Sequence, residues 1–184
     1  MNLLIDKLPT EYEGLKINTN FRSFILFELL MQERKIKMED KIIIALSYFY
    51  EETPKDLKKA VDGILWFYTR GKKDKKQKKQ GNNTKNQIYS YEHDGDYIYS
   101  AFLSQYGLDL NEIEYLHWWK FKSLFECLND ENKICQIMGY RAVDLSKIKD
   151  KETKNKYKRL KQQYALPDER TEEEKENDFA EAFW

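Results

Sequence analysis

The chain has 184 residues, which is enough for one ordinary domain or two small lobes with a real hydrophobic core. Its 32 basic and 32 acidic side chains balance to a net charge of zero, which argues against a general nucleic-acid-binding protein. The longest apolar run, residues 24–31, contains Glu28 and is too short to span a bilayer, and the apolar run near the N-terminus is too short for a signal sequence. We therefore expect a soluble cytoplasmic protein without a membrane partner.

The N-terminal part of the chain predicts a small hairpin followed by a central helix. Two short apolar pieces, residues 3–5 and 15–17, lie on either side of a proline and a glycine, as in a β-hairpin. Residues 20–34 then show a helical pattern that is apolar on most sides, with Asn18 or Thr19 as the N-cap. This helix is expected at the centre of the core.

Two further helices are predicted before residue 70. The first covers about residues 38–50, where apolar side chains recur at helical spacing on one face. The second begins with Thr53 as N-cap and Pro54 at the first helical position, where the missing N–H costs nothing, and it ends near Gly71. Its expected buried stripe is Leu57, Val61, Ile64, Leu65 and Tyr68.

A basic segment, residues 70–87, interrupts the helical pattern. It has eight basic residues, one acidic residue and no apolar ones, so it cannot form a core. A solvated linker is the favoured interpretation; the alternative is contact with phosphate backbones, for which the segment lacks interleaved aromatic residues. The predicted organisation is an N-terminal helical lobe (1–69), this linker, a C-terminal helical lobe (88–166) and an acidic tail (167–184).

The C-terminal lobe opens with two predicted helices. The first follows the acidic residues 92–96 and ends at Gly107. The second covers about residues 109–128 and begins with Asp109 and Glu112 in the form of a capping box. Its expected apolar stripe is Leu110, Ile113, His117, Phe121, Leu124 and Leu128.

Two more helices complete the predicted fold. A short one stops at Gly139, and a long, strongly charged one is capped by Asp144 and closed by Pro167. The fold class is therefore all-α, with six or seven helices and at most a small N-terminal β-hairpin. The residues expected to be buried are Phe24, Leu65, Ile98, Phe102, Ile113, His117, Phe121 and Leu124.

The sequence contains no motif of catalytic or metal-binding character. His117 lies among apolar helical neighbours and is interpreted as a core histidine with its hydrogen bonds satisfied. His93 stands within the acidic residues 92–96, which suit a helix start better than a metal site because calcium loops need a longer, regular ligand spacing. Cys127 and Cys135 form no zinc pattern. We predict that the protein is not an enzyme and has neither a cofactor nor a metal site.

An aromatic pair is the first candidate for a partner-binding site. Trp118 and Trp119 are adjacent and would point about 100° apart on a helix, so both cannot occupy the centre of one narrow stripe. One interpretation is burial between two neighbouring helices. The other is a partner-binding patch, which we assign to Tyr115, Trp118 and Trp119 because aromatic residues dominate interface hot spots.

The acidic tail is the second candidate. It holds eight acidic and two basic residues and ends in an aromatic tip formed by Phe179, Phe183 and Trp184. Phe179 and Phe183 would share one face of a helix, so the tip is predicted to dock into an apolar groove of this chain, of a second copy or of a partner. A frayed terminus is the equally weighted alternative.

Several stretches of the chain resemble the bacteriophage gp-fifteen family, which occurs in tailed phages and prophages of Gram-positive bacteria. The stretches are INTNFR from Ile17, DGDYIYSAFLSQYGLDL from Asp94, IEYLHWWKF from Ile113, IMGYRAVDLSKIKDK from Ile137 and YALPDE from Tyr164. The basic segment shows no family pattern.

The resemblance implies a role in phage tail morphogenesis. Such proteins are encoded close to the tape-measure protein, which suggests a tail assembly chaperone that acts in the bacterial host cytoplasm and binds the tape-measure protein or another tail protein. Self-association is a further expectation. The family has no established active site, so no catalytic residue can be assigned. The alternatives are a structural component of the virion and a nucleic-acid-binding phage regulator that acts through the lysine-rich segment.

Overall fold

A computed structural model describes residues 2–72 and 87–167. Within these residues the chain forms one two-stranded hairpin and seven helices. The elements are β1 (Glu11–Tyr12), β2 (Leu15–Lys16), α1 (Phe21–Gln32), α2 (Met38–Phe49), α3 (Leu57–Tyr68), α4 (Gly95–Tyr106), α5 (Trp118–Glu126), α6 (Lys133–Ala142) and α7 (Lys151–Gln163). The predicted all-α class with a small N-terminal hairpin is confirmed.

The hairpin is shorter and lies later in the chain than its apolar pieces suggested. Tyr12 faces Leu15 in the antiparallel register, and the two turn residues, Glu13 and Gly14, have φ values of 47° and 82°. Such a two-residue turn in the left-handed region matches the twist of hairpin strands. Residues 3–5, predicted as a strand, form an exposed turn instead.

Helix α1 begins one residue later than predicted. The N-cap is Asn20, whose side chain accepts a hydrogen bond from the backbone N–H of Arg22. Thr19, one of the two predicted caps, is buried and bonds through its hydroxyl to that of Tyr115 at 2.6 Å. Asn18, the other, accepts a hydrogen bond from the backbone of Asn20 and so supports the turn before the helix.

Helix α3 differs from the prediction in both its start and its buried face. Its N-cap is Asp56, which accepts a hydrogen bond from the N–H of Lys59 at 3.0 Å, so the predicted start at Thr53 and Pro54 is wrong. The buried side of the helix is formed by Ala60, Gly63, Ile64 and Phe67. The predicted core residue Leu65 is exposed because it lies on the opposite side of this face.

The small residues of α3 explain this orientation. The hydroxyl of Tyr50 donates a hydrogen bond to the carbonyl of Ala60 at 2.9 Å. A Cβ atom on Gly63 would lie 3.0 Å from that hydroxyl oxygen and 3.2 Å from the ring of Tyr12. Close approach of these two tyrosines is therefore possible only on the face that carries Ala60 and Gly63.

The segment between α4 and α5 is irregular where a helix was predicted. Helix α4 ends at Gly107 as expected, but α5 begins only at Trp118. The guanidinium group of Arg22 donates hydrogen bonds to the carbonyl groups of Leu110 and Ile113, with N···O distances of 2.7 and 2.8 Å. These carbonyls are thus satisfied by a guanidinium group from α1 rather than by helical N–H groups.

The same segment also pairs with the entry to α1. An isolated bridge joins Asn20 to His117, and the N–H of Trp118 donates to the carbonyl of Thr19 at 2.8 Å. Asp109, predicted as a helix cap, accepts a hydrogen bond from the N–H of Asn111 in a turn instead. Residues 109–117 are therefore held as a loop against α1.

The last two helices have shifted boundaries. Helix α6 continues through Gly139 to Ala142, so the predicted stop at Gly139 is wrong. Asp144 accepts a hydrogen bond from the N–H of Ser146 in a turn, and the cap of α7 is Asp150, which accepts from the N–H of Thr153 at 2.7 Å. Helix α7 has no buried residue, which agrees with its high charge.

One hydrophobic core collects side chains from both sides of the basic segment. Phe24 of α1 stacks on Trp118 of α5 with centroids 5.0 Å apart, and Phe121 stacks on Phe21 at 4.9 Å and on Phe102 of α4 at 5.0 Å. Of the predicted core residues, five are buried, Ile113 and Leu124 are half-buried, and Leu65 is exposed. In residues 2–72 and 87–167 no helix has the length and apolar character needed to cross a membrane.

Candidate protein-binding surface

The two adjacent tryptophans are core residues in this structure. The indole N–H of Trp118 donates to the carbonyl of Tyr68 at 3.2 Å, and that of Trp119 donates to the carbonyl of Phe67 at 2.7 Å. Both indoles thus donate to carbonyl groups in the last turn of α3, and the carbonyl of Phe67 accepts from the N–H of Arg70 as well. Burial between helices, one of the two interpretations of this pair, is what the structure shows, and of the predicted patch only Tyr115 is exposed.

His117 joins the N-terminal segment to the start of α5. It is buried, and it caps α5 rather than lying on a helical stripe. A carbonyl group can only accept, so the Nε2–H of His117 donates to the carbonyl of Pro9 at 2.9 Å, while Nδ1 accepts from the N–H of Trp119 at 3.0 Å. The bond from Trp119 requires the neutral imidazole, because a protonated Nδ1 cannot accept. Burial lowers the pKa of His117, against the hydrogen bond to Pro9, which raises it.

This histidine should make the protein less stable in mild acid. Its folded-state pKa lies below the ordinary value of 6.5, so the unfolded chain takes up the proton first. The contribution to stability is complete above about pH 6.5 and is lost as the pH falls through the folded-state pKa. In urea titrations from pH 8 to pH 5, the free energy of unfolding of the wild type should fall as the pH falls. In His117→Asn this fall should be smaller.

The other histidine of the chain supplies the matched control for this prediction. His93 is exposed and makes neither of the two hydrogen bonds of His117, so His93→Asn controls for the loss of a histidine as such. An equal flattening by both substitutions would contradict the assignment to His117.

The acidic residues 92–96 do not form a metal site in the structure. Among the described residues there is no group of three or more side chains that could hold a metal ion. Asp94 is buried, and both of its carboxylate oxygens accept from the guanidinium group of Arg141, at 2.5 and 2.9 Å. The same arginine donates to the carbonyls of Ile88 at 3.1 Å and Tyr164 at 2.6 Å. This fork joins α6 to the start of α4 and the end of α7.

A second buried acidic side chain is Glu28 of α1, which the sequence pattern did not single out. The signal in the sequence was the position of Glu28 inside an apolar run. Its carboxylate is buried and one oxygen, Oε1, has no hydrogen-bond partner among the described residues. Burial raises the pKa of Glu28, while the nearby charge of Lys122 and a hydrogen bond from Tyr68 lower it. Lys122 in turn lies over the ring of Trp118, 5.3 Å from its centroid. This cluster lies at the buried junction of α1, α3 and α5.

An exposed apolar stripe on α3 is a candidate surface for a protein partner. Leu57 and Leu65 are 51% and 46% exposed, and Val61 between them is half-buried. Their spacing of four residues places them on one face of the helix. We call these three residues the α3 stripe. It contains three of the five residues that the sequence suggested as the buried stripe of this helix. Ile64 of that predicted stripe is buried, because the buried face is the one with Ala60, Ile64 and Phe67.

The sequence around the α3 stripe carries an excess of basic side chains. From residue 55 to residue 72 there are five basic and two acidic side chains, of which Lys59 and Arg70 pair with Glu13 and Glu126. Helix α2, which packs against α3, also leaves apolar side chains exposed, but its first turn carries Glu39 and Asp40. The tail residues Phe179, Phe183 and Trp184, and the basic residues 73–86, lie outside the described part of the chain.

Comparison with known proteins assigns a family. The model of the family described as Bacteriophage Gp15 protein matches residues 4–166. The chain belongs to this family. The match extends from the turn before the hairpin to the residues that follow α7, and it stops before the acidic tail. The resemblance predicted from the sequence is therefore confirmed.

The family places the chain among bacteriophage proteins and suggests a role in phage structure or morphogenesis. No curated protein and no solved structure matches the chain. Any finer assignment therefore depends on the surface of this Gp15-family protein itself.

Proposed function

We propose that this Gp15-family protein is a phage tail assembly protein that binds the tape-measure protein in the host cytoplasm before the tail tube polymerises. Membership of the family supports a phage morphogenesis role. The observation on which the binding role rests is the α3 stripe, an apolar helix face that residues 2–72 and 87–167 leave uncovered. Tape-measure proteins are long and helical, and an amphipathic helix can lay its apolar face along such a stripe.

The size of the stripe predicts weak, repeated contacts. Leu57 and Leu65 are each about half exposed, so covering the exposed part of each would contribute about 1 kcal/mol. With Val61 the total is about 3 kcal/mol, far below the ~8 kcal/mol that a micromolar complex requires. A single copy therefore binds a short helix weakly. Many copies along one long tape-measure protein would bind through their combined contacts and still release when the tube assembles.

The proposal predicts that the α3 stripe is needed for capture of the tape-measure protein. Co-expression of the tagged protein with the tape-measure protein of the same phage, followed by affinity purification, should recover both. The double substitution Leu57→Ser with Leu65→Ser removes about 2 kcal/mol of contact and should lower the recovered amount more than about 10-fold.

Leu103 on α4 supplies the matched control, because its 43% exposure is close to that of Leu65. Leu103→Ser should leave capture unchanged. Equal loss with both variants would point to general stickiness of exposed leucines, and full capture by the α3 double variant would refute the proposed surface. A wild-type protein that captures no tape-measure protein would refute the function.

A further inference from the structure

We propose that the C-terminal segment, residues 168–184, covers the α3 stripe of its own molecule until a helical partner displaces it. The regulatory meaning of this contact rests on the proposed function, but the contact itself does not. The segment is absent from the described part of the chain, and its sequence and the point from which it leaves the fold identify it as the occupant.

The tail and the stripe match in spacing. Phe179 and Phe183 are four residues apart, as are Leu57 and Val61, and Val61 and Leu65. Two helices that each present such a pair can place their apolar faces together. The stripe extends over eight residues, or about 12 Å of helix, which is long enough to receive both phenylalanines.

The charges match as well. Residues 168–184 hold eight acidic and two basic side chains, and residues 55–72 hold five basic and two acidic ones. Lys58 stands beside Leu57, and Lys72 follows the end of α3; both are exposed. Basic side chains at the edge of an apolar contact favour binding of an acidic segment over binding of a neutral or basic one.

The other exposed apolar residues suit the tail less well. Ile43 on α2 follows Glu39 and Asp40, whose carboxylates repel an acidic segment. Leu103 and Tyr97 on α4 are six residues apart, so they point to different sides of the helix and form no stripe.

Met38 and Ile42 on α2 are also exposed and four residues apart, but residues 33–41 hold four basic and three acidic side chains, against five and two over residues 55–72. Leu4 and Ile5 are more exposed still, but they lie in a turn and form no helical stripe.

The tail leaves the fold from a fixed point and has a long stem. The carbonyl of Tyr164 is held by Arg141 at 2.6 Å, so the chain leaves the fold from a defined position after α7. Residues 168–178 precede the aromatic tip, and 11 extended residues span about 36 Å. A compact chain of 184 residues has a radius of gyration of about 16 Å, so this stem is long enough to reach another face.

Attachment to the same chain compensates for the small size of the contact. A short tether gives the tip an effective concentration on the order of millimolar at the stripe. With a contact of about 3 kcal/mol, the tail occupies the stripe up to about half of the time at such a concentration, and the apparent affinity for a competing helix falls about 2-fold. The tail would thus compete with a partner for the stripe in free protein.

Photo-crosslinking of the full chain tests the contact directly. The probe is p-benzoylphenylalanine in place of Leu65, with the same probe in place of Leu103 as the control. After irradiation of dilute monomer, mass spectrometry should find crosslinks from position 65 to residues 168–184 within one chain, and none from position 103. Crosslinks that appear only in covalent dimers would assign the stripe to a second copy, and no crosslink to the tail would refute the proposal.

Capture measurements separate this proposal from the proposed function. A protein that ends at Pro167 should bind the tape-measure protein about 2-fold more tightly than the full chain. Capture by both forms with equal affinity and no crosslink would refute the covering tail and leave the function intact. Crosslinks without any capture would refute the function and leave the intramolecular contact intact.

Discussion

Replacement of Arg141 by methionine should destabilise the protein by about 3–5 kcal/mol, because it leaves the carboxylate of Asp94 buried without its charge partner. The side chains of Arg141 and Asp94 are 8% and 2% exposed. The substitution also removes the donor to the carbonyls of Ile88 and Tyr164. The expected loss is a large part of the free energy of unfolding of an ordinary domain, which is about 5–15 kcal/mol.

The chain offers a control of the same chemistry at the surface. Arg70 makes the same two-pronged contact with Glu126, with both N···O distances at 2.9 Å, but these side chains are 19% and 48% exposed. Arg70→Met should cost at most about 1 kcal/mol, since exposed ion pairs contribute little. Urea denaturation at pH 7 gives both values, and equal losses for the two arginines would contradict the burial argument.

A double substitution separates the missing partner from the missing packing. Arg141→Met combined with Asp94→Leu removes the unpaired charge, and it should recover part of the stability lost in the single variant. If the double variant is no more stable than Arg141→Met, the loss comes from the carbonyl contacts at Ile88 and Tyr164 and not from the buried carboxylate.

The sequence predicted where most helices lie, because helical spacing of apolar residues depends only on local order along the chain. Gly107 was correctly assigned to the end of α4, where it adopts φ of 64° and its N–H returns to the carbonyl of Leu103. Such a signal is contained in one residue type at one position. Predictions of this kind need no knowledge of distant contacts.

The buried face of α3 could not be predicted from spacing alone. The face with Leu57 and Leu65 and the face with Ala60, Ile64 and Phe67 are both apolar. The choice between them is made by Tyr50, which approaches the backbone of Ala60, and this contact joins residues from different helices. The leucine face was therefore assigned to the core, although it is the exposed α3 stripe.

The loop before α5 shows the same limit. Residues 109–117 have the apolar spacing and the acidic start of a helix, but Arg22, about 90 residues earlier, binds their carbonyl groups. The shift of the helix start to Trp118 also turned His117 from a stripe residue into a cap. Tertiary hydrogen bonds of this kind override local propensity and leave no local signal in the sequence.

Phe121 is the core residue whose truncation should have the largest effect. Its ring is fully buried and stacks on Phe21, Phe102 and Trp118, with centroids 4.9, 5.0 and 5.7 Å apart. The three rings come from α1, α4 and α5, so they cannot all collapse into the space left by alanine. Phe121→Ala should therefore cost about 3–5 kcal/mol, the range for truncation of an enclosed aromatic side chain.

Leu124, one turn further along α5, is the control for a general effect of this helix. It is half-buried, so Leu124→Ala should cost less than Phe121→Ala, near the lower end of about 2–5 kcal/mol for buried leucines. Phe121→Leu should retain most of the apolar volume and lose the ring stacking, about 0.5–1.5 kcal/mol for each aromatic pair. Thermal and urea unfolding of the three variants gives the order. A loss for Phe121→Ala no greater than that for Leu124→Ala would show that Phe121 does not join α1, α4 and α5 as its contacts indicate.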